Sequence, residues 1–124
     1  MKSVLIVDDE VDMALAIKES LRRFGFKPVV YHNAVDVLSE LNLSDFSLII
    51  TDMKMPKMDG IEFLQEIRKK SIFVPVIVIT GYGTVENAVN AMKLGATDYI
   101  MKPVSFESLK RVIERILPSE ETDI

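Results

Sequence analysis

Four short stretches carry side chains that could do chemistry together. Asp8, Asp9 and Glu10 follow one apolar run and Asp52 follows another. Thr80 closes a third, and Lys102 follows a fourth, just ahead of Pro103. Crowded carboxylates raise one another's pKa unless something cationic joins them. A hard divalent cation with oxygen ligands answers that need, and Mg²⁺ accepts a few carboxylates together with waters and phosphate oxygens. Lys102 adds a further positive charge. Such a set can hold and polarise a phosphoryl group, whose transfer is mostly positioning and charge neutralisation. A carboxylate can itself be the nucleophile, giving an aspartyl phosphate.

These residues work together only if the fold brings them to one edge. The apolar runs predict strands at Ser3–Val7, Lys27–Tyr31, Ser47–Thr51, Val74–Thr80 and Asp98–Met101. The first, third and fourth are nearly continuous in Val, Ile and Leu, as suits strands buried on both faces of a parallel sheet. Between them the period changes to that of helices. Ala14, Ile17, Leu21 and Phe24 form one stripe, with Gly25 as its stop. Asn33 caps a second helix with Val35, Leu38 and Leu41 inward, and Asp59 caps a third with Ile61, Leu64 and Ile67 inward. Thr84 caps a fourth, with Val85, Ala88, Val89 and Met92 on one stripe. Ser105 caps a fifth, with Phe106, Leu109, Ile113, Ile116 and Leu117 inward and Pro118 at its end. A regular βα alternation implies parallel strands with right-handed crossovers and an α/β fold. Five such units make a doubly wound sheet, in which ligands bind beyond the carboxyl ends of the strands. The acids, the hydroxyl and the ammonium all fall at such ends.

Composition narrows the classes. The 124 residues suit one domain, read as 1–118 followed by a polar tail or linker start at 119–124. With 48% hydrophobic and 27% charged residues the chain reads as soluble and globular. The absence of cysteine excludes disulfides, thiolate metal sites and cysteine nucleophiles. A formal net charge of −4 argues against this domain holding nucleic acid by itself. No run reaches the length of a membrane span and the start does not read as a signal peptide, so the expected location is the cytoplasm, without membrane attachment. A flavin carrier on a similar sheet would need hydroxyls and amides after the first strand to hold phosphate, where Asp8, Asp9 and Glu10 stand. A haloacid-dehalogenase-like phosphatase would need Asp-x-Asp after a strand, and neither Asp8-Asp9-Glu10 nor Asp52-Met53-Lys54 supplies it.

At this point four motifs match a known family. VDDE at 7–10, ITDMKMPKMDG at 50–60, VIVITGYG at 76–83 and DYIMKP at 98–103 resemble response-regulator receiver domains, the CheY-like family, and the resemblance covers residues 3 to about 117. It implies a flavodoxin-like five-stranded parallel sheet in the order 2-1-3-4-5 with five helices. It implies Asp52 as phosphoacceptor and Asp9 and Asp52 as direct Mg²⁺ ligands, with Asp8 helping through water and the backbone carbonyl of Lys54 completing the set. Thr80 would hydrogen-bond the phosphoryl oxygen, and Lys102 would pair with Asp52 and then with its phosphate. Tyr99 would move inward as Thr80 moves, changing the face made by the fourth helix, fifth strand and fifth helix. Lys54 and Tyr82 occupy positions that tune how fast the phosphate is lost. The donor would be a phosphohistidine on a sensor histidine kinase. The domain would phosphorylate itself and slowly lose the phosphate rather than turn over as an enzyme.

The stretch ITGYGTVENAVNAMKLGATDYIMKP at 79–103 is further similar to receivers of NtrC-class transcription activators. That likeness implies control of transcription through an output domain or protein, and a homodimer that depends on phosphorylation. Those regulators continue into ATPase and DNA-binding domains. Taken singly, Asp8 and Asp9 suit a helix cap, Thr80 is β-branched strand filler and Lys102 a solvated lysine. Their joint placement is what favours a site. His32 has no acidic partner nearby in sequence and reads as a surface residue. The competing function is a receiver-shaped adaptor that binds partners without phosphorylation.

Overall fold

The computed structural model describes residues 2–81 and 83–117. The expected polar tail, Pro118 and Tyr82 lie outside the described residues. The strands are β1 (Ser3–Val7), β2 (Lys27–Tyr31), β3 (Leu48–Asp52), β4 (Val76–Thr80) and β5 (Asp98–Met101). The helices are α1 (Val11–Arg23), α2 (Ala34–Glu40), α3 (Gly60–Lys69), α4 (Val85–Lys93) and α5 (Phe106–Ile116), with one 3₁₀ turn at Leu43–Asp45. All neighbouring strands pair in parallel in the order β2-β1-β3-β4-β5. This is the flavodoxin-like order expected from the motifs.

Three strand boundaries differ from the sequence reading, the first being the start of β3, at Leu48 and not Ser47. β3 runs one residue further, through Asp52, so the acid is the last residue of a strand and not the first of a loop. β4 begins at Val76 and not Val74. Pro75 has no N–H to give to a ladder, and Arg68 occupies the carbonyl of Val74 at 2.9 Å.

Side chains alternate along each strand between two cores. Leu5, Val7, Ile49, Val76 and Val78 face α2, α3 and α4, where they meet Val37, Phe63, Leu64, Ile67 and Ala91. Val4, Ile6, Leu48, Ile50, Ile77 and Ile79 face α1 and α5, where they meet Ala14, Ile17, Leu21, Leu109 and Ile113. Each such aliphatic side chain contributes about 1.5–3 kcal/mol when fully buried, so the middle of the sheet is a rigid base for whatever its edge carries.

The helix starts follow local chemistry. Asn33, Asp59, Thr84 and Ser105 each accept a hydrogen bond from a backbone N–H three residues on. At α3, Glu62 also reaches back to the Asp59 N–H, completing a capping box. Two expected stripes are corrected. In α2, Val35 is exposed, and Ala34 and Val37 are the residues that face the sheet. In α4, Val85, Val89 and Met92 point to solvent, with Val85 83% exposed, while Ala91 is buried. Small residues on the inner side let α4 lie close to the sheet, and the larger apolar residues are left outside.

Candidate functional site

Because all five strands are parallel, their carboxyl ends share one edge. β1 delivers Asp8, whose N–H donates to the Tyr31 carbonyl at 3.0 Å. β3 delivers Asp52, in register with Ile79, and β4 delivers Thr80, in register with Met101. Asp8, Asp52 and Thr80 are buried, in contrast to most polar residues of the chain. Lys102 follows β5, and its N–H donates to the Thr80 carbonyl at 2.8 Å.

Carboxylate oxygens of Asp8, Glu10 and Asp52 lie within 4.8 Å of one another. Lys102 Nζ reaches Glu10 Oε1 at 3.0 Å and Asp52 Oδ1 at 3.3 Å. Burial raises the Asp8 carboxyl from 3.8 to about 6, with the Glu10 N–H bond opposing and the Asp52 charge adding. Burial also raises Asp52, while the Lys102 charge and hydrogen bond pull it back. Lys102 itself is disfavoured as a cation by burial, but its bond to Glu10 and the Asp52 charge outweigh that and raise its pKa. One ammonium thus faces three carboxylates, two of them taken out of water. A donor set of hard oxygens with unneutralised negative charge fits a small divalent cation.

The open cleft over this edge has a volume of about 500 Å³ and is lined by Asp9, Glu10, Asp52, Lys54, Thr80, Gly81 and Lys102. Asp9 is exposed on its wall and is not one of the three clustered carboxylates. Lys54 is exposed on the loop after β3. Tyr99 lies one strand away from Thr80, half-buried against the α2–α3–α4 core, and its buried hydroxyl has no hydrogen-bond partner among the described residues. Tyr82, expected beside Thr80, lies outside the described residues.

Three supporting residues escaped the sequence reading. Glu10 stands in sequence simply as the third acid after β1, and in the fold it is the nearer carboxylate to Lys102. Gly60 opens α3 directly against the main chain of Asp52 and Met53. Its N–H donates to the Met53 carbonyl at 2.7 Å, and a Cβ there would collide with the Asp52 carbonyl oxygen. The Asp-Gly pair at the start of a helical run was the available signal. His32, read as a surface residue, is exposed but donates from Nδ1 to the backbone carbonyl of Asp8 at 3.0 Å, tying the end of β2 to the site loop. The capping alternative for Asp8 is not realised: Glu10 is the N-cap residue, and Asp8 Oδ1 instead accepts from the Glu10 N–H at 2.9 Å.

Comparison with known proteins agrees with this geometry. Residues 4–114 match the model of the response regulator receiver domain. The transcriptional regulatory protein ZraR of Salmonella typhimurium is 34% identical over 114 residues, covering 92% of this chain and 26% of its own length. A putative NtrX-like response regulator of Rickettsia bellii is 42% identical over 114 residues, covering 90% of this chain and 24% of its own. The chain thus spans about a quarter of the length of the curated relatives it matches. Among solved structures, a response regulator receiver domain protein from Clostridium thermocellum superposes with a TM-score of 0.87 at 32% identity over 100% of both chains. The receiver domain of a putative LuxO repressor protein from Vibrio parahaemolyticus gives 0.88 at 29% identity, covering 98% of this chain and 94% of that one. No helix among the described residues is long and apolar enough to cross a membrane. With sheet order, acidic edge and family match in agreement over nearly the whole described length, the chain belongs to the response regulator receiver domain family of two-component signalling.

Proposed function

We propose that the domain accepts a phosphoryl group on Asp52 from a sensor histidine kinase and switches an output surface in response, the output being transcription. The observation that carries the reading is the pairing of a buried strand-end carboxylate with one ammonium, 3.3 Å away, inside a wider acidic cluster. An Asp52 oxygen attacks phosphorus, the bond to the donor nitrogen breaks, and its electron pair leaves with the imidazole. No proton need leave Asp52, because the carboxylate is already ionised when it attacks. Mg²⁺ held by Asp8, Asp9, Asp52 and the Lys54 carbonyl would supply charge neutralisation at the transferring group. Lys102 offsets the charge gathering on the phosphoryl oxygens. Thr80, at the end of the next strand, offers its hydroxyl to the same oxygens.

The phosphoryl group adds charge at the edge and gives Thr80 a new partner, a local event that biases a two-state element. Thr80 shifts toward the phosphate and Tyr99 fills the space it leaves, altering the α4–β5–α5 face. Val85, Val89, Met92 and Met101 already expose apolar surface there, as suits a face that meets an output domain or a second copy of this chain. With a net charge of −4 the domain acts on nucleic acid only through that output.

Borohydride reduction of the phosphorylated chain, followed by peptide mapping, tests the assignment. Homoserine at position 52 is the expected product. Homoserine at Asp8 or Asp9 would move the acceptor. No reduced residue after treatment with a phosphorylated kinase would make the chain a phosphorylation-independent adaptor.

A further inference from the structure

Glu10 occupies the N-cap of α1, yet its side chain makes no capping hydrogen bond. Ser, Thr, Asp and Asn serve that position well because their short side chains reach back to the first turn. Here a longer acid stands in their place and spends its carboxylate elsewhere. Glu10 Oε1 accepts from Lys102 Nζ at 3.0 Å, across 92 residues of sequence, while Asp52 Oδ1 lies at 3.3 Å from the same nitrogen. The Glu10 side chain is 60% exposed and that of Lys102 17% exposed, so the pair runs from solvent into the cleft that both residues line. The backbone of Glu10 is fixed at the same time by its N–H bond to Asp8 Oδ1.

We propose that Glu10 is a positioning residue for phosphotransfer: it tethers Lys102 at the site and competes with an incoming phosphoryl group for the lysine. This rests on Asp52 being the acceptor. Lys102 has three N–H donors, and two already have carboxylate partners. A phosphoryl oxygen entering beside Asp52 must compete with Glu10 for the ammonium, and it meets the negative charge of Glu10 at the entrance. Glu10 therefore slows phosphorylation by a small anionic donor. A partly exposed ion pair changes such an equilibrium by a factor of about 1.5 to 5, which sets the size of the effect. In the step itself an Asp52 oxygen forms the new bond to phosphorus of acetyl phosphate, and acetate leaves with the electron pair of the broken phosphorus–oxygen bond.

Three chains separate the tether from simple charge repulsion: native, Glu10→Gln, and Glu10→Asp, which keeps the charge but is one methylene too short to reach Lys102. Two readouts are needed. The first is labelling of Lys102 by an amine-reactive ester in metal-free buffer, quantified on its peptide. The second is the rate of phosphorylation by acetyl phosphate with Mg²⁺. Both variants are expected to label Lys102 about 1.5- to 5-fold faster than native, and to phosphorylate about 1.5- to 5-fold faster. Glu10→Asp matching native in both readouts would overturn the tether, as would slower phosphorylation of Glu10→Gln. A native chain that takes no phosphoryl group on Asp52 would overturn the acceptor assignment and this inference with it. A native chain that is phosphorylated at the same rate as both variants would overturn this inference alone.

Discussion

Lys102 Nζ stands 3.3 Å from Asp52 Oδ1, and the carboxylate it faces is buried at the end of β3. The pair divides the cost of placing charge at the sheet edge. Burial works against the ionised Asp52, and Lys102 offsets only part of that. Replacing each partner should therefore move stability in opposite directions. In metal-free buffer at neutral pH, Asp52→Asn is expected to unfold at a higher urea concentration than native. Lys102→Met leaves the carboxylates without their cation and is expected to lose about 1–3 kcal/mol. That is less than for a fully buried pair, because Lys102 and Glu10 keep some contact with water. Chemical denaturation of the three chains checks both signs.

Asp8 gives a pH dependence with a definite sign. Its pKa is raised in the folded chain from 3.8 to about 6, so the folded state holds that proton more tightly than the unfolded state does. The stabilisation is complete below about 3.8 and is lost as pH rises through about 6. Between pH 7 and pH 5, the metal-free native chain should gain about 1 kcal/mol relative to Asp8→Asn. Saturating Mg²⁺ should remove the gain, because a carboxyl that serves a metal must give up its proton. Thermal melts of both chains across that range, with and without Mg²⁺, provide the comparison.

Gly60→Ala tests how α3 supports Asp52. A methyl group at that position runs into the Asp52 carbonyl oxygen and the Met53 Cα, and both are backbone atoms. The clash cannot be relieved by turning a side chain, so either α3 or the end of β3 must shift. Overpacking of this kind costs about 1–3 kcal/mol. The variant should lose that much in urea and should also phosphorylate more slowly.

Arg68 should separate stability from chemistry. It donates to the Gly95 carbonyl from two nitrogens, at 2.7 and 3.1 Å, and to the Ile72 and Val74 carbonyls at 2.9 Å. No carboxylate pairs with it in these contacts. The guanidinium ties the end of α3 to the turns before β4 and β5, far from the acidic edge. Arg68→Met leaves those carbonyls short of a donor and should cost about 2–3 kcal/mol. Its phosphorylation rate should stay within twofold of native at a temperature where both chains are folded.

The sheet and the polar groups at its carboxyl edge were legible because they depend on local signals. Val- and Ile-rich runs announce the strands, and the acids, Thr80 and Lys102 stand directly at their ends. Asn33, Asp59, Thr84 and Ser105 cap helices through bonds only three residues long, so their spacing reveals them. The orientation of α4 was not legible. Val85, Val89 and Met92 repeat at helical spacing, but a period identifies a stripe without saying what covers it. The close approach of α4 at Ala91 decides the matter. The Glu10–Lys102 contact joins two loops that only the closed sheet brings together. The fit of Gly60 against Asp52 emerges only with the packing of α3 on β3.

The most direct measurement is the intact mass of the native chain and of Asp52→Asn after incubation with acetyl phosphate, with and without Mg²⁺. The account predicts one added phosphoryl group on the native chain, present only with Mg²⁺ and absent from Asp52→Asn. An adduct that persists in Asp52→Asn, or a native chain that stays unmodified even at the shortest sampling times, would contradict it.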